Sequence, residues 1–243
     1  RARRMRRTMT RRMKPMTTDV PHPDDTQLQD TRRAILAAVL PHVPFDGWSE
    51  KSLRQAAADT DLDPAVVKLA FSGGPADVIA FWSEAADGAM TAAFADQNGD
   101  EMRFRERITF LVRARIGAVA GHREAVRRAL TYLAQPQHGG TGLRCLYRSV
   151  DEMWCAAGDR ATDFNFYTKR LTLAGVYSST LLFWLDDTSD DSAETWAFLD
   201  RRIAGVMRVP ARREKLRRAG RYLPNPRRFA RLVSERLREG GVG

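Results

Sequence analysis

Apolar residues recur at helical spacing along most of the chain, and few stretches alternate between apolar and polar residues as strands do. The first predicted helix is Gln27–Leu40, which Pro41 and Pro44 end because proline cannot continue a helix. The pattern therefore predicts an all-α chain. The other predicted helices are Glu50–Asp59, Pro64–Phe71, Ala76–Asp96, Arg103–Gly121, Arg123–Leu133, Leu143–Ala157, Thr162–Trp184 and Ser192–Met207.

Residues 158–187 change character along their length. The first half is polar and aromatic, and the second half is almost wholly apolar, with no Gly-Pro break between them. A helix that is apolar on most sides must be surrounded by other helices, by a partner subunit or by an apolar ligand. Its polar, aromatic start is typical of a surface that recognises a protein partner.

The carboxy-terminal segment predicts a separate amphipathic helix. Asn225 caps it and Pro226 opens it, and its apolar residues fall on one face while most arginines lie off that face. Such a basic helix suits the headgroup layer of an anionic membrane, and packing onto the body of its own chain is the alternative. The residues predicted to contact the membrane are Arg227, Arg228, Phe229, Arg231, Leu232, Val233 and Leu237.

The net charge of +10 is unevenly distributed. Residues 1–20 hold eight basic residues and one acidic residue, and residues 208–243 hold twelve basic and three acidic residues. The residues between them hold twenty basic and twenty-six acidic residues. An acidic body with two basic ends suits binding to anionic membranes or acidic partners. It differs from the basic domain that would bind a nucleic-acid duplex.

No catalytic or metal-binding motif is present in the sequence. The four histidines are scattered outside HExxH or ExxH spacing, and there is no GxGxxG, P-loop or GxSxG motif. Cys145 and Cys155 are predicted to be free, buried thiols. We interpret four clustered aspartates as a solvated loop and helix cap: Asp186, Asp187, Asp190 and Asp191. The sequence favours a binding protein over an enzyme, without catalytic residues or a metal.

Residues 45–71 have a helix-turn-helix layout that resembles the amino-terminal domain of the TetR family of repressors. The helix in the recognition position, PAVVKLAF, offers only Lys68 to DNA. The preceding turn, residues 59–63, adds three carboxylates where phosphates would pass. We therefore expect a vestigial scaffold that does not bind nucleic acid. A TetR-type repressor that responds to a hydrophobic effector is the alternative function.

Four segments carry a second resemblance: PHVPFDGW (41–48), VDEMWCAAGD (150–159), TDFNFYTKRLTLAGVYSSTLLFWLDD (162–187) and TWAFLDRRI (195–203). Together they resemble the TetR-like lipid-binding accessory family of ubiquinone (coenzyme Q) biosynthesis. The likeness extends from about Gln27 to Met207.

The resemblance implies a TetR-like helical bundle and a homodimer built from the last two core helices. It implies a tunnel for an isoprenoid lipid or quinone, with no other cofactor, and partnership with a ubiquinone ring hydroxylase. It also implies a place at the cytoplasmic face of a bacterial inner membrane, or on the matrix side in mitochondria. Family members are not known as catalysts.

By position, the resemblance assigns the partner-facing surface to Asp163, Asn165, Phe166, Tyr167 and Arg170. The family pattern usually has Trp where this chain has Phe166, which keeps the apolar anchor but loses the indole donor. The alternative for these aromatic residues is ordinary core packing. Helical spacing gives a lipid-binding set that core packing would also produce: Met153, Trp154, Leu173, Tyr177, Leu181 and Trp184.

These expectations divide the chain into four regions. Residues 1–26 form a disordered basic segment, and residues 27–75 form the helix-turn-helix-like subdomain. Residues 76–207 form the lipid-binding and dimerisation bundle, and residues 208–243 form the basic linker and membrane helix.

Overall fold

The structure is a computed structural model of the chain, and it describes residues 23–97, 101–158 and 165–205, with the side chains of 23–25 and 165–167 left aside. The predicted basic amino-terminal segment, apart from its last residues, and the predicted linker and membrane helix lie outside the described residues. So do all seven residues predicted to contact the membrane.

Within the described ranges the regular structure is helical, as the apolar pattern predicts. The element that follows α9 consists of residues 193–205 and is named α10. The other helices are α1 (Pro23–Val39), α2 (Val43–Asp46), α3 (Glu50–Asp59), α4 (Pro64–Ala70), α5 (Pro75–Ala95), α6 (Phe104–Gly117), α7 (Arg123–Leu133), α8 (Gly139–Ala156) and α9 (Asn165–Asp186).

The predicted caps of the two short helices are present. Ser49 accepts a hydrogen bond from the Ser52 backbone N–H, and the Ser52 side chain accepts one from the Ser49 N–H, so α3 starts with a capping box. The Asp63 carboxylate accepts a hydrogen bond of 2.7 Å from the Ala65 N–H at the start of α4. Gly74, with φ of 63°, turns the chain into α5, a left-handed conformation that favours glycine.

Helices α1, α3 and α4 pack on one another as the helix-turn-helix-like unit, and α5 packs against α6 and α8 in the main bundle. Trp48 ties the two parts together. Its indole Nε1 donates to the Ala125 carbonyl of α7 at 3.0 Å, and its ring lies 5.5 Å from that of Trp82 on α5. Each large apolar side chain in this shared core contributes about 1.5–3 kcal/mol by burial.

Asp187 caps the junction between α9 and α10. Its carboxylate accepts hydrogen bonds from the backbone N–H groups of Ser189 and Thr195, both at 2.8 Å, and from both hydroxyls. The side-chain hydrogen bonds from Ser189 and Thr195 hold the pKa of Asp187 well below its usual range. The sequence-based interpretation of these aspartates as a loop and a helix cap is confirmed at Asp187.

Several predicted boundaries differ from the structure. Helix α1 begins at Pro23 rather than Gln27, and α8 begins at Gly139 rather than Leu143. The short α2 is not predicted from the sequence, because a four-residue helix that contains Pro44 has no periodicity to detect. The prediction of two buried thiols is wrong for Cys155, which is exposed, although both thiols are free.

Within the described ranges, no single helix has the length and apolar character to cross a membrane. Helices α4 and α5, bent by 60° at their junction, together meet that test by length and composition only.

Candidate functional site

The main bundle encloses a cavity of about 470 Å³ between α5, α6, α7, α8 and α9. This volume is in the range of pockets that bury most of a drug-sized ligand. Most of the wall is aliphatic. The apolar residues that line it include Ile79, Trp82, Val119, Val126, Ala129, Leu130, Leu133, Leu143, Leu146, Leu181 and Leu182.

Two of the six residues predicted to bind lipid, Tyr177 and Leu181, line this cavity. The other four are buried but do not belong to its wall: Met153, Trp154, Leu173 and Trp184. Trp154 stacks on Phe104 with 5.2 Å between ring centroids, and Trp184 lies beneath the guanidinium of Arg123. The structure therefore places these four in helix packing, and their contact with a lipid stays a prediction.

One end of the cavity carries a partly buried polar cluster, which we define as Ser83, Asp87, Arg115, Arg148 and Ser149. Asp87 accepts hydrogen bonds from Arg115 Nε and Ser149 Oγ, each at 2.6 Å, and from Arg148 Nε at 3.2 Å. Arg115 Nη2 donates to the Ser83 carbonyl at 3.2 Å and to its hydroxyl at 3.0 Å. Both members of the Asp87–Arg115 pair are buried. Each compensates the charge of the other, and burial of either charge without the other would be costly.

Burial sets the protonation states around this cluster. Desolvation raises the pKa of the Tyr177 phenol, although Arg115 lowers it in part, and desolvation also raises the pKa of the Cys145 thiol. Desolvation opposes the charged form of Arg115, but Tyr177 and Asp87 act in the other direction and its pKa is raised overall. At neutral pH the cavity is therefore lined by the neutral phenol of Tyr177, the neutral thiol of Cys145 and the charged guanidinium of Arg115.

The cavity wall reaches the surface near the start of α8, and we call this exposed part the mouth. Leu143 and Leu182 line the cavity and are also 70% and 57% exposed, whereas Tyr177 and Arg115 are only 5% and 6% exposed. Gly139 also lines this part of the wall and leaves it without a side chain. The cavity thus runs from an apolar mouth on the surface to a polar floor in the interior.

The helix-turn-helix-like unit presents a surface unlike a DNA-reading one. Asp59, Asp61 and Asp63 are exposed before and at the start of α4. Leu69 is 79% exposed on the outer face of α4, where a recognition helix would offer polar groups to base edges.

Comparison with known proteins finds a family match for the carboxy-terminal part of the bundle. Residues 140–210 match the family model described as COQ9. This part of the chain is similar to COQ9. The matched region contains nearly all of α8, the whole of α9 and α10, and it includes the cavity residues Tyr177 and Leu181.

Curated relatives carry the same name. The chain is 29% identical over 201 residues to "Ubiquinone biosynthesis protein COQ9, mitochondrial" of Rattus norvegicus, covering 80% of this chain and 64% of that protein. It is 27% identical to the Homo sapiens protein of that name, over 80% and 63% of the two chains. With the Drosophila melanogaster protein, the identity is 31% over 71% and 54% of the two chains. The COQ9-related chain thus spans less than two thirds of the length of these relatives.

A solved structure supports the fold. The crystal structure of the TetR transcriptional regulator from Nitrosomonas europaea aligns with a TM-score of 0.61 and 24% sequence identity. The alignment covers 72% of the COQ9-related chain and 97% of the regulator. The prediction of an all-α, TetR-like fold is confirmed.

The described part of the predicted partner-facing surface is Arg170, which is buried and forms an ion pair with the partly exposed Asp151. Asp163 and the side chains of Asn165, Phe166 and Tyr167 lie outside the described residues. Arg170 is 6% exposed, and its Nε donates to the Asp151 carboxylate on α8 at 2.6 Å. This pair joins the first turns of α9 to α8, so Arg170 can orient the α9 start rather than contact a partner directly. The partner-facing role of all five residues stays a prediction.

Sequence reasoning missed most of the cavity wall and all of its charged floor. The apolar stripe of α7, which includes Val126, Leu130 and Leu133, gives the same pattern for core and for cavity. A signal for the floor was present, because Asp87 and Arg115 both fall on apolar helix faces. Opposite charges at two such positions point to a buried pair.

Among the described residues, no group of three or more His, Cys, Asp or Glu side chains is arranged to hold a metal ion. The absence of a metal remains a sequence-based expectation for the chain as a whole.

Proposed function

We propose that this protein is a lipid-binding accessory protein of ubiquinone biosynthesis. It binds isoprenoid quinone intermediates at a membrane and presents them to a ring hydroxylase, without catalysing a reaction itself. The observation that carries the proposal is the cavity between α5 and α9, with its apolar wall and surface mouth, in a chain related to COQ9. The relatives named for ubiquinone biosynthesis support the pathway.

The cavity suits one end of a long apolar molecule. Its volume of about 470 Å³ buries a ring and a short apolar tail, and a longer tail would continue past Leu143 and Leu182 at the mouth. Partial enclosure of this kind suits a carrier, because the cargo must leave as well as enter. The membrane is the source of the cargo, and we place the protein at its inner or matrix face.

The start of α9 is the proposed docking surface for the hydroxylase. The charge-assisted pair of the buried Arg170 with the partly exposed Asp151 links the first turns of α9 to α8. Phe166 and Tyr167 precede this pair by less than two helical turns. Aromatic residues beside an anchored arginine are the composition of interface hot spots.

Lipids that co-purify with the full chain test the proposal. Mass spectrometry of organic extracts should find an isoprenoid quinone or a precursor of one. Ala129→Phe should deplete this lipid, because the added ring occupies cavity volume. Thr131→Phe adds the same ring to an exposed position of α7 and should leave the lipid content unchanged. Wild-type protein purified from ubiquinone-producing cells without any isoprenoid lipid would contradict the proposal.

A deletion strain tests the pathway. It should contain less ubiquinone and accumulate a precursor that lacks one ring hydroxyl. Normal ubiquinone without such a precursor would refute the role in biosynthesis.

The proposed membrane contact depends on residues 226–238. Removal of residues 223–243 should abolish flotation with anionic liposomes while the thermal unfolding midpoint of the bundle stays unchanged. Flotation of the truncated protein equal to that of the full chain would exclude the tail as the anchor.

A TetR-type repressor is the second candidate, and the described surface disfavours it. Exposed carboxylates at Asp59, Asp61 and Asp63 would repel phosphates beside α4. We expect no sequence-specific duplex binding at physiological salt in an electrophoretic mobility assay against fragments of the source genome. A specific shift would revive the repressor function.

A further inference from the structure

The floor of the cavity holds hydrogen-bond donors that the protein does not use. Three residues of the polar cluster also line the cavity: Ser83, Arg115 and Ser149. Tyr177 lines the same end and is more than nine-tenths buried. An apolar tail cannot accept hydrogen bonds from these groups. We therefore expect the floor to contact a polar part of a ligand.

Two donors at the floor have no acceptor among the described residues. Arg115 uses Nε on Asp87 and Nη2 on Ser83, which leaves Nη1 without a hydrogen bond there. The Tyr177 hydroxyl likewise has no hydrogen bond to a described residue. Neither atom is among the buried polar atoms that lack a partner, so both are accessible from the cavity, and a ligand oxygen can accept hydrogen bonds from them.

The charges around the floor balance. Arg115 is paired with Asp87, and Arg148 is shared between Asp87 and Glu84, at 3.2 Å and 3.3 Å from the two carboxylates. The Arg115–Asp87 pair, which is the buried part of this set, carries no net charge. A carboxylate or phosphate group on a ligand would therefore bring an uncompensated charge into a desolvated site, whereas a neutral oxygen acceptor would not.

We propose that the floor of the cavity is a head-group subsite that accepts a neutral oxygen-bearing ring. A carbonyl, hydroxyl or ether oxygen of the ring accepts hydrogen bonds from Arg115 Nη1 and the Tyr177 hydroxyl. The apolar tail points outwards to Leu143 and Leu182. This inference rests on the proposed function, because it assigns the orientation and head-group class of the lipid in the same cavity. It distinguishes quinones and phenols from fatty acids and phospholipids.

Three probes with one geranyl tail test the subsite by titration calorimetry of the full chain. They are a ubiquinone with two isoprene units, geranylbenzene and a geranyl-substituted benzoate. Wild-type protein should bind the quinone more tightly than geranylbenzene, which has a ring without oxygens. It should bind the benzoate more weakly than the quinone, because the benzoate carries a charge.

Tyr177→Phe isolates the hydroxyl. This change should weaken quinone binding by roughly three- to tenfold, the usual effect of one hydrogen bond, and leave geranylbenzene binding unchanged. Tyr132→Phe is the matched control, because Tyr132 is half-buried on α7 and outside the cavity wall. The thermal midpoint of each variant should equal that of the wild type, since neither change leaves a cavity.

The outcomes separate the two proposals. Equal affinity of the wild type for the quinone and geranylbenzene, unaltered by Tyr177→Phe, would overturn the head-group subsite and leave lipid binding intact. Tighter binding of the benzoate than of the quinone would also overturn it. Binding of none of the probes would overturn the proposed function and the subsite together.

Discussion

Asp87 is the residue on which the polar cluster depends. It accepts hydrogen bonds from three side chains on α6 and α8, and it carries the charge that balances Arg115. Asp87→Asn removes that charge and leaves a buried guanidinium without compensation. We expect the free energy of unfolding to fall by roughly 3–5 kcal/mol in urea denaturation.

Ser149→Ala is the control for Asp87→Asn. It removes one hydrogen bond to the same carboxylate and no charge, so its expected cost is about 1 kcal/mol. If the two variants lost equal stability, charge compensation by Asp87 would not be the source of the effect.

At the scale of the element, the junction of α9 and α10 depends on one ionised carboxylate. Because the pKa of Asp187 is depressed, its hydrogen bonds stabilise the fold fully above the ordinary aspartate pKa of about 4. This stability is lost as the pH falls through the lower pKa of the folded state. The thermal midpoint of Asp187→Asn should therefore lie below that of the wild type at neutral pH, and the gap should narrow below about pH 4.

Asp186→Asn is the control for the Asp187 prediction. Asp186 is exposed and pairs with Arg127 on the surface, an interaction that contributes little to stability. A gap for Asp187→Asn that stays constant between pH 7 and pH 3 would contradict the assigned role of its carboxylate.

Most elements could be predicted because their local signals agree with their packing. Ser49 and Asp63 mark the starts of α3 and α4, and the bounds of α3 and α7 coincide with the predicted ones. The start of α8 could not be predicted, because glycines at 139, 140 and 142 are typical of a loop. Packing beside Leu133 overrides that preference, since the α-carbon of Gly142 has no room for a larger side chain without movement of Leu133.

The site could be predicted only in part, because a cavity and a packed core have the same sequence pattern. Tyr177 and Leu181 line the cavity, whereas Leu173 and Trp184 on the same helix do not. All four are buried, and the difference lies in whether a neighbouring helix fills the space opposite them. That spacing depends on how five helices meet, which periodicity along one helix does not contain.

At the scale of the whole molecule, the predicted homodimer uses the last two core helices, α9 and α10, and α9 carries exposed apolar residues. Leu171 and Leu182 are 77% and 57% exposed and share a face of α9. Exposed apolar patches of this kind mark interfaces. We expect the wild type to be a dimer by light scattering after size exclusion, and Leu171→Asp to be a monomer.

Leu69→Asp is the matched control for the dimer prediction. Leu69 on α4 is 79% exposed, so the substitution makes the same chemical change at similar exposure but away from α9 and α10. It should remain a dimer. A monomeric wild type, or the same response to both substitutions, would contradict the proposed interface.

Because Trp82 lies in the cavity wall and contacts Trp48, tryptophan fluorescence should be sensitive to a ligand in the cavity. Trp82 lines the cavity, and its ring is 5.5 Å from that of Trp48 in the helix-turn-helix-like unit. A quinone in the cavity would accept excitation energy from the Trp82 indole, so binding should quench the intrinsic fluorescence. Trp82→Phe should remove most of this quenching, and unchanged quenching would place the quinone elsewhere. The fluorescence of Trp82, which contacts Trp48 across the two parts of the fold, would then report whether the cavity is occupied.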